Sequence, residues 1–108
     1  MLQTVYFTAA SRQAAMKIAN VLVQERLAAC ANVVDGVTSI YRWDDALQED
    51  QEAVVFAKTT AELAESAIQR VQELHEYDCP CVVAWDIAST SDAYEKWVRS
   101  ETSSGLQQ

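Results

Sequence analysis

The chain is poor in the residues that most catalytic and nucleotide-binding motifs require. It has two glycines, one proline and one histidine among 108 residues. With only Gly36 and Gly105, it cannot form a glycine-rich loop that holds phosphates in the Walker or dinucleotide manner. The single His75 leaves no second histidine at the helical spacing of a zinc-protease motif. No nucleophile, base and orienting group can be assembled, so the sequence predicts a protein that is not an enzyme and has no organic cofactor.

Basic residues are also scarce: the chain has 8 Lys and Arg but 16 Asp and Glu, which gives a net charge of −8. Nucleic-acid binding needs clustered cations, so no nucleic-acid partner is expected. No apolar run approaches the roughly 18 to 20 residues of a membrane helix, and Met1 to Phe7 has no basic segment or cleavage site of a signal peptide. We expect a cytoplasmic protein with no membrane partner. The acidity suits a cation, small-molecule or protein partner, and it also suits solubility alone.

Cysteine usage points to the same compartment. Three cysteines cannot all pair, and Cys79 and Cys81 are too close in sequence for an easy unstrained disulfide. Reduced thiols are typical of the cytoplasm.

Apolar patterning predicts one domain over residues 1–101, followed by a frayed tail over 102–108. The predicted order is a strand over 2–8, a helix from Ser11 to about 27, an extended segment over 30–43, a strand over 52–59, a helix opened by a Thr59 capping box, a strand over 82–87 and a helix capped within 89–92. A polar turn over 44–50 would join the middle strands into a long hairpin. This β-α-β-β-α-β order with a C-terminal helix predicts an α+β ferredoxin-like sandwich. Its sheet has two edges and one uncovered face, which favours pairing between subunits.

The sharpest chemical group is His75 with Cys79 and Cys81. In an extended segment the two thiols would share one face, about 7 Å apart at the backbone. Thiolate and imidazole suit Cu(I) or Zn(II), so these residues are candidate metal ligands, and Cys30 is a fourth. The structural alternative is that the cysteines are small packing residues and that His75 ends a helix.

The segment from Glu25 to Trp43 runs from the end of a predicted helix into a predicted strand. It contains the characteristic sequence motif Ala29-Cys30-Ala31-Asn32. Further matches occur at 48–50, at 58–59, at 75–80 and at Tyr94 and Trp97. Together these residues resemble the CutA divalent-cation tolerance proteins over about residues 4–98. The resemblance implies a homotrimer, similar in architecture to the PII signalling proteins.

The resemblance also implies a cleft between subunits, whose matching residues here are Tyr41, Trp43, Glu52, Lys58, His75 and Tyr77. Such residues suit a metal ion or a small polar ligand. The alternatives are that Tyr41 and Trp43 only anchor an interface, and that Lys58 and Glu52 form a strand ion pair.

This chain departs from the family pattern at several places. Glu76 stands where the family usually has Pro, and Cys81 stands where it usually has Glu. Some bacterial relatives carry a thiol on the first strand and a second histidine beside the one matched by His75, and these places hold Phe7 and Leu74 here. Two functions remain open: metal-ion tolerance with binding of copper or another divalent ion, and PII-like signalling or scaffolding through a small ligand.

Overall fold

Within the part of the chain that the structure describes, four antiparallel strands form one sheet, and three helices pack against it. The computed structural model describes residues 1–103. The elements are β1 (Leu2–Ala9), α1 (Arg12–Gln24), β2 (Cys30–Trp43), β3 (Ala46–Thr60), α2 (Ala61–Leu74), β4 (Val82–Asp86) and α3 (Asp92–Glu101). The strand order is β2-β3-β1-β4. The predicted ferredoxin-like α+β fold is therefore confirmed. Among residues 1–103, none of the helices combines the length and the apolar composition needed to span a bilayer.

The main core lies between one face of the sheet and helices α1 and α2. Ser11 caps α1 by accepting from the Ala14 amide, and the apolar side chains that follow at helical spacing are buried. Alternate residues of the central strands, such as Val5 and Phe7 of β1, meet this helical layer. The buried side chains of the core are Val5, Phe7, Ala9, Ala15, Ile18, Ala19, Leu22, Ala28, Ala53, Val55, Ala57, Ala64, Ala67 and Val71.

The opposite face of the sheet is covered only at one end. There α3 packs through Val98 and Tyr94 against Leu2. Beyond α3, three aromatic rings line the sheet: Tyr6 lies 5.3 Å from Phe56 and 5.7 Å from Trp85, centroid to centroid. Trp85 and Val83 are each 46% exposed. We call this uncovered aromatic surface, formed by Tyr6, Phe56, Val83 and Trp85, the open face.

The β2–β3 hairpin is longer than the sequence predicts. The predicted turn over 44–50 is wrong, because β3 begins at Ala46 and only Asp44 and Asp45 form the turn. A register shift between Val34 and Val37 marks a bulge in β2 at Asp35 and Gly36, and Gly36 there has a φ of +72°. The molecule extends 44 Å along its longest axis.

The hairpin turn carries backbone strain that a substitution can relieve. Asp44 and Asp45 have φ values of +51° and +61°, the left-handed conformation that glycine adopts without steric cost. We expect Asp45→Gly to stabilise the protein by about 0.5–1 kcal/mol, measured by urea unfolding at fixed protein concentration. Gln48→Gly, in the regular part of the same hairpin, is the control and should be destabilising. A loss of stability in Asp45→Gly would contradict this assignment.

Two boundaries differ from the predicted ones. The cap of α2 is Thr60 rather than Thr59, because the Thr60 hydroxyl accepts from the Leu63 amide at 3.3 Å while Thr59 lies within β3. At the C-terminus, Thr102 is buried and donates to the Val98 carbonyl, and the Ser103 amide donates to the Arg26 carbonyl. Of the predicted frayed tail, residues 102–103 are thus held against the domain, and 104–108 lie outside the described residues.

Candidate functional site: a phenol–carboxylate cluster beside two thiols

Two tyrosines and two carboxylates meet where the hairpin leaves the open face. The Tyr77 hydroxyl donates to Glu52 at 3.0 Å, and the Tyr41 hydroxyl donates to Asp50. Asp50 and Glu52 are two residues apart on β3, so both side chains lie on the same face of the strand. We call Tyr41, Asp50, Glu52 and Tyr77 the phenol–carboxylate cluster. The sequence pattern does not identify Asp50 as a site residue, because it predicts a turn there. If the strand is extended to include Asp50, the two-residue spacing from Glu52 places both carboxylates on one face.

The cluster keeps its phenols protonated. Burial, followed by the hydrogen bond to Glu52, raises the pKa of Tyr77 to about 12. The hydrogen bond to Asp50 is the main cause of a raised pKa at Tyr41. Neighbouring anions penalise the phenolate, and a phenol that donates to a carboxylate holds its proton more tightly. The cluster therefore presents neutral hydroxyls and carboxylate oxygens at neutral pH.

This arrangement has a consequence at alkaline pH. Tyr77 binds its proton more tightly in the folded state, so its contribution to stability is fully present below pH 10 and is lost as the pH rises towards about 12. We expect Glu52→Gln to lower the pKa of Tyr77, followed by ultraviolet absorbance during alkaline titration. Burial and the Cys30 thiol also raise the pKa of Tyr94 to about 12, so two tyrosines ionise in the same pH range. The absorbance change that is lost in Tyr77→Phe is the one that belongs to Tyr77. An unchanged Tyr77 titration in Glu52→Gln would contradict the hydrogen bond.

His75 supports the cluster through its ring. It is the C-cap of α2, and its Nε2 lies 2.7 Å from the Thr8 carbonyl, so Nε2 carries the proton and donates. Its Nδ1 then accepts from the Tyr77 amide at 3.1 Å, and the two rings lie 4.6 Å apart. Both ring nitrogens are occupied within the chain. In this arrangement neither nitrogen offers a lone pair to a metal ion, and the helix-end alternative describes His75 better.

Cys81 lies next to the cluster, and Cys79 lies two residues earlier in the chain. The Cys81 carbonyl accepts from the Thr8 amide, which extends the β1–β4 pairing by one step beyond Val82. Both thiols are exposed and unpaired. Burial and the charge of Glu52 raise the pKa of the Cys81 thiol. The two cysteines thus form an accessible dithiol beside the cluster.

Cys30 is not brought to the other predicted ligands. It pairs with Lys58 at the start of β2, and Lys58 pairs with Thr4, whereas Cys81 lies beside Thr8 at the other end of β1. The Cys30 sulfur is hydrogen-bonded to the Tyr94 hydroxyl of α3 at 3.3 Å. This contact fits the packing interpretation of Cys30.

The predicted cleft residues fall into three places in one chain. Tyr41, Glu52 and Tyr77 belong to the cluster, and His75 lies beside it against Tyr77. Trp43 is 57% exposed beside the hairpin turn. Lys58 lies six residues beyond Glu52 on β3 and donates to Asn32 at 2.8 Å, rather than forming the ion pair with Glu52 considered above. A single subunit therefore holds only part of the predicted cleft in one location.

An open groove of about 460 Å³ also has Glu52 in its lining. Its charged lining residues are Arg12, Asp35 and Glu52. Within residues 1–103, no three His, Cys, Asp or Glu side chains converge in a way that could hold a metal ion. Phe7 is fully buried and Leu74 packs against the core, so neither position supplies a ligand. One chain by itself thus supplies at most the two thiols as adjacent soft ligands.

The sequence and the fold both match one family. Residues 3–101 match the family model described as CutA1 divalent ion tolerance protein. The chain belongs to this family. The chain is 44% identical to the divalent-cation tolerance protein CutA of Thermus thermophilus over 102 residues, covering 94% of this chain and 99% of that protein. A crystal structure of CutA from Xylella fastidiosa matches with a TM-score of 0.92 at 33% identity, covering 94% of this chain and 98% of the other.

The chain is also similar to a plant member of the CutA family. It is 43% identical over 98 residues to the chloroplastic protein CutA of Arabidopsis thaliana, covering 91% of this chain. It spans 54% of the length of that relative. The CutA resemblance found in the sequence is confirmed by these matches.

Proposed function

We propose that this CutA family member acts in the cellular response to divalent metal ions as a non-enzymatic homotrimer that binds copper. The open face is the main observation that supports self-association. Tyr6, Phe56 and Trp85 form a packed aromatic row on a sheet face that helices leave uncovered. Contiguous exposed apolar surface of this kind is typical of an interaction site.

The hairpin supports the same assembly. Ile40 and Leu47 are 65% and 71% exposed on a ribbon that has only two strands. A two-stranded ribbon is marginal in water unless a further surface packs against it. Pairing with neighbouring copies would cover both the ribbon and the open face.

Copper binding is supported by the family's relation to cation tolerance and by two accessible thiols. Soft thiolate ligands select copper in its Cu(I) state over hard divalent ions. The same unpaired thiols are the basis for proposing a cytoplasmic location.

Native mass spectrometry of the reduced protein, prepared without a histidine tag, tests this proposal. The protein is titrated in turn with Cu(I) and Zn(II) and then with a chelator. We expect a trimer that retains one chelator-sensitive copper ion per chain. A monomer at micromolar concentration would overturn the homotrimer, and a trimer that takes up no copper would overturn the copper binding alone.

A second candidate function is PII-like signalling or scaffolding through a small ligand between subunits. The phenol–carboxylate cluster favours it, because neutral hydroxyls and carboxylates beside the Arg12 groove suit a small polar molecule. This function predicts that a ligand protects Lys58 from acylation and shifts the fluorescence of Trp43, with no metal present. A screen of nucleotides and small metabolites that changes neither signal would count against it.

A further inference from the structure

We infer that Cys79 and Cys81 form a two-coordinate, sulfur-only site for Cu(I), with neither His75 nor Cys30 as a ligand. This inference rests on the copper binding proposed above and gives it a location and an oxidation state.

The two thiols are adjacent and available. One proline separates them, so their Cα atoms are at most about 7 Å apart. Rotation about the Cα–Cβ bonds can bring two side chains at that separation to opposite sides of one metal ion. Both thiols are exposed, and within residues 1–103 the hydrogen-bonded thiol is Cys30, which is engaged with Tyr94. Binding at Cys79 and Cys81 therefore breaks no sulfur contact among the described residues.

The nearest nitrogen ligand is already engaged. His75 uses Nε2 to hold the Thr8 carbonyl and Nδ1 to accept from the Tyr77 amide. Recruiting either nitrogen would cost one of these hydrogen bonds and would release the ring from Tyr77. The geometry thus removes from the site the imidazole that the sequence suggested.

The number of ligands at the site then determines which metal ion fits it. Structural Zn(II) takes four ligands, and Ca(II) or Mg(II) takes six or more oxygens. In residues 1–103 no third His, Cys, Asp or Glu joins the thiols in a metal-binding group. Cu(I) is a soft d¹⁰ ion that accepts two thiolates in a linear arrangement. Its binding converts two thiols to thiolates, releases two protons to solvent and leaves a complex with one negative charge.

Competition against the chromogenic Cu(I) chelator bathocuproine disulfonate, under anaerobic conditions, tests the site. We expect the Cys79→Ser/Cys81→Ser double variant to lose at least about 100-fold in Cu(I) affinity, since outer-sphere changes alone cost about 10- to 100-fold. Cys30→Ser is the matched thiol control and should bind as the wild type does. Circular dichroism and sedimentation of the double variant should match the wild type, because serine is close to cysteine in size and shape.

X-ray absorption of the copper-loaded wild-type protein gives an independent result. Two sulfur scatterers and no imidazole nitrogen are expected. A histidine shell, or a third sulfur supplied by another subunit, would overturn the two-coordinate site. Wild-type protein that binds Cu(I) while the double variant binds it equally would overturn this inference alone, whereas wild-type protein that binds no Cu(I) would overturn the proposed copper binding with it.

Discussion

Trp85→Glu is expected to abolish trimer formation at micromolar concentration. Trp85 lies on the edge strand β4 of the open face, with its ring against Tyr6 and 46% of its surface exposed in one chain. A carboxylate there would be desolvated in any assembly that covers this face. Buried tryptophans dominate interface energies, so we expect the dissociation constant to rise by at least about 100-fold. Sedimentation velocity over a dilution series measures the effect.

Val23→Glu is the control for Trp85→Glu. Val23 is 39% exposed on α1, which covers the other face of the sheet. This variant adds the same charge at a similar exposure, and it should leave the assembly unchanged. If Trp85→Glu remains associated while Val23→Glu does the same, then the open face is not the subunit interface and the proposed homotrimer loses its main support.

Phe7→Ala is expected to cost about 3–5 kcal/mol in the free energy of unfolding. Phe7 is fully buried between the sheet and the helices α1 and α2. Its truncation leaves a cavity in a core made largely of small residues such as Ala15 and Ala57, which have few atoms with which to close it. Urea unfolding at one fixed protein concentration measures the loss, because the stability of an oligomer depends on concentration.

Met16→Ala serves as the comparison for Phe7→Ala. Met16 is 38% exposed on α1, so its truncation removes little buried surface and should change stability by about 0.5 kcal/mol or less. A loss below about 1 kcal/mol in Phe7→Ala would mean that the core collapses around the gap, and it would weaken the view that this packing fixes the position of β1.

Local patterns were sufficient to predict most of the fold. The Ser11 cap and the apolar spacing of α1 act within a few residues, and the structure has both. The first half of β3 was missed because Gln48, Asp50 and Gln51 are polar, which is typical of a turn. Pairing with β2 decides the strand there, and such pairing depends on residues distant in sequence.

The candidate site was less predictable for the same reason. The sequence placed His75 near two thiols but could not show that its Nε2 is held by Thr8, which lies 67 residues away. Likewise, the partner of Cys30 is Tyr94, which lies 64 residues away. Residue types indicated which ligands were available, whereas only the tertiary contacts showed which ones were already occupied.

The bulge at Gly36 sets which side of the hairpin Tyr41 occupies. Between Val34 and Val37 the chain advances three residues on β2 but two on β3, so the alternation of sides is reversed along the rest of β2. If the same sequence paired without the bulge, Thr38 rather than Ser39 would lie opposite Asp50, and Tyr41 would lie on the side of the ribbon away from Asp50. The inserted residue and the bulge are therefore matched: deleting Gly36 would remove both, keep Val37 opposite Glu52, and leave the two surfaces of the far half of the ribbon as they are.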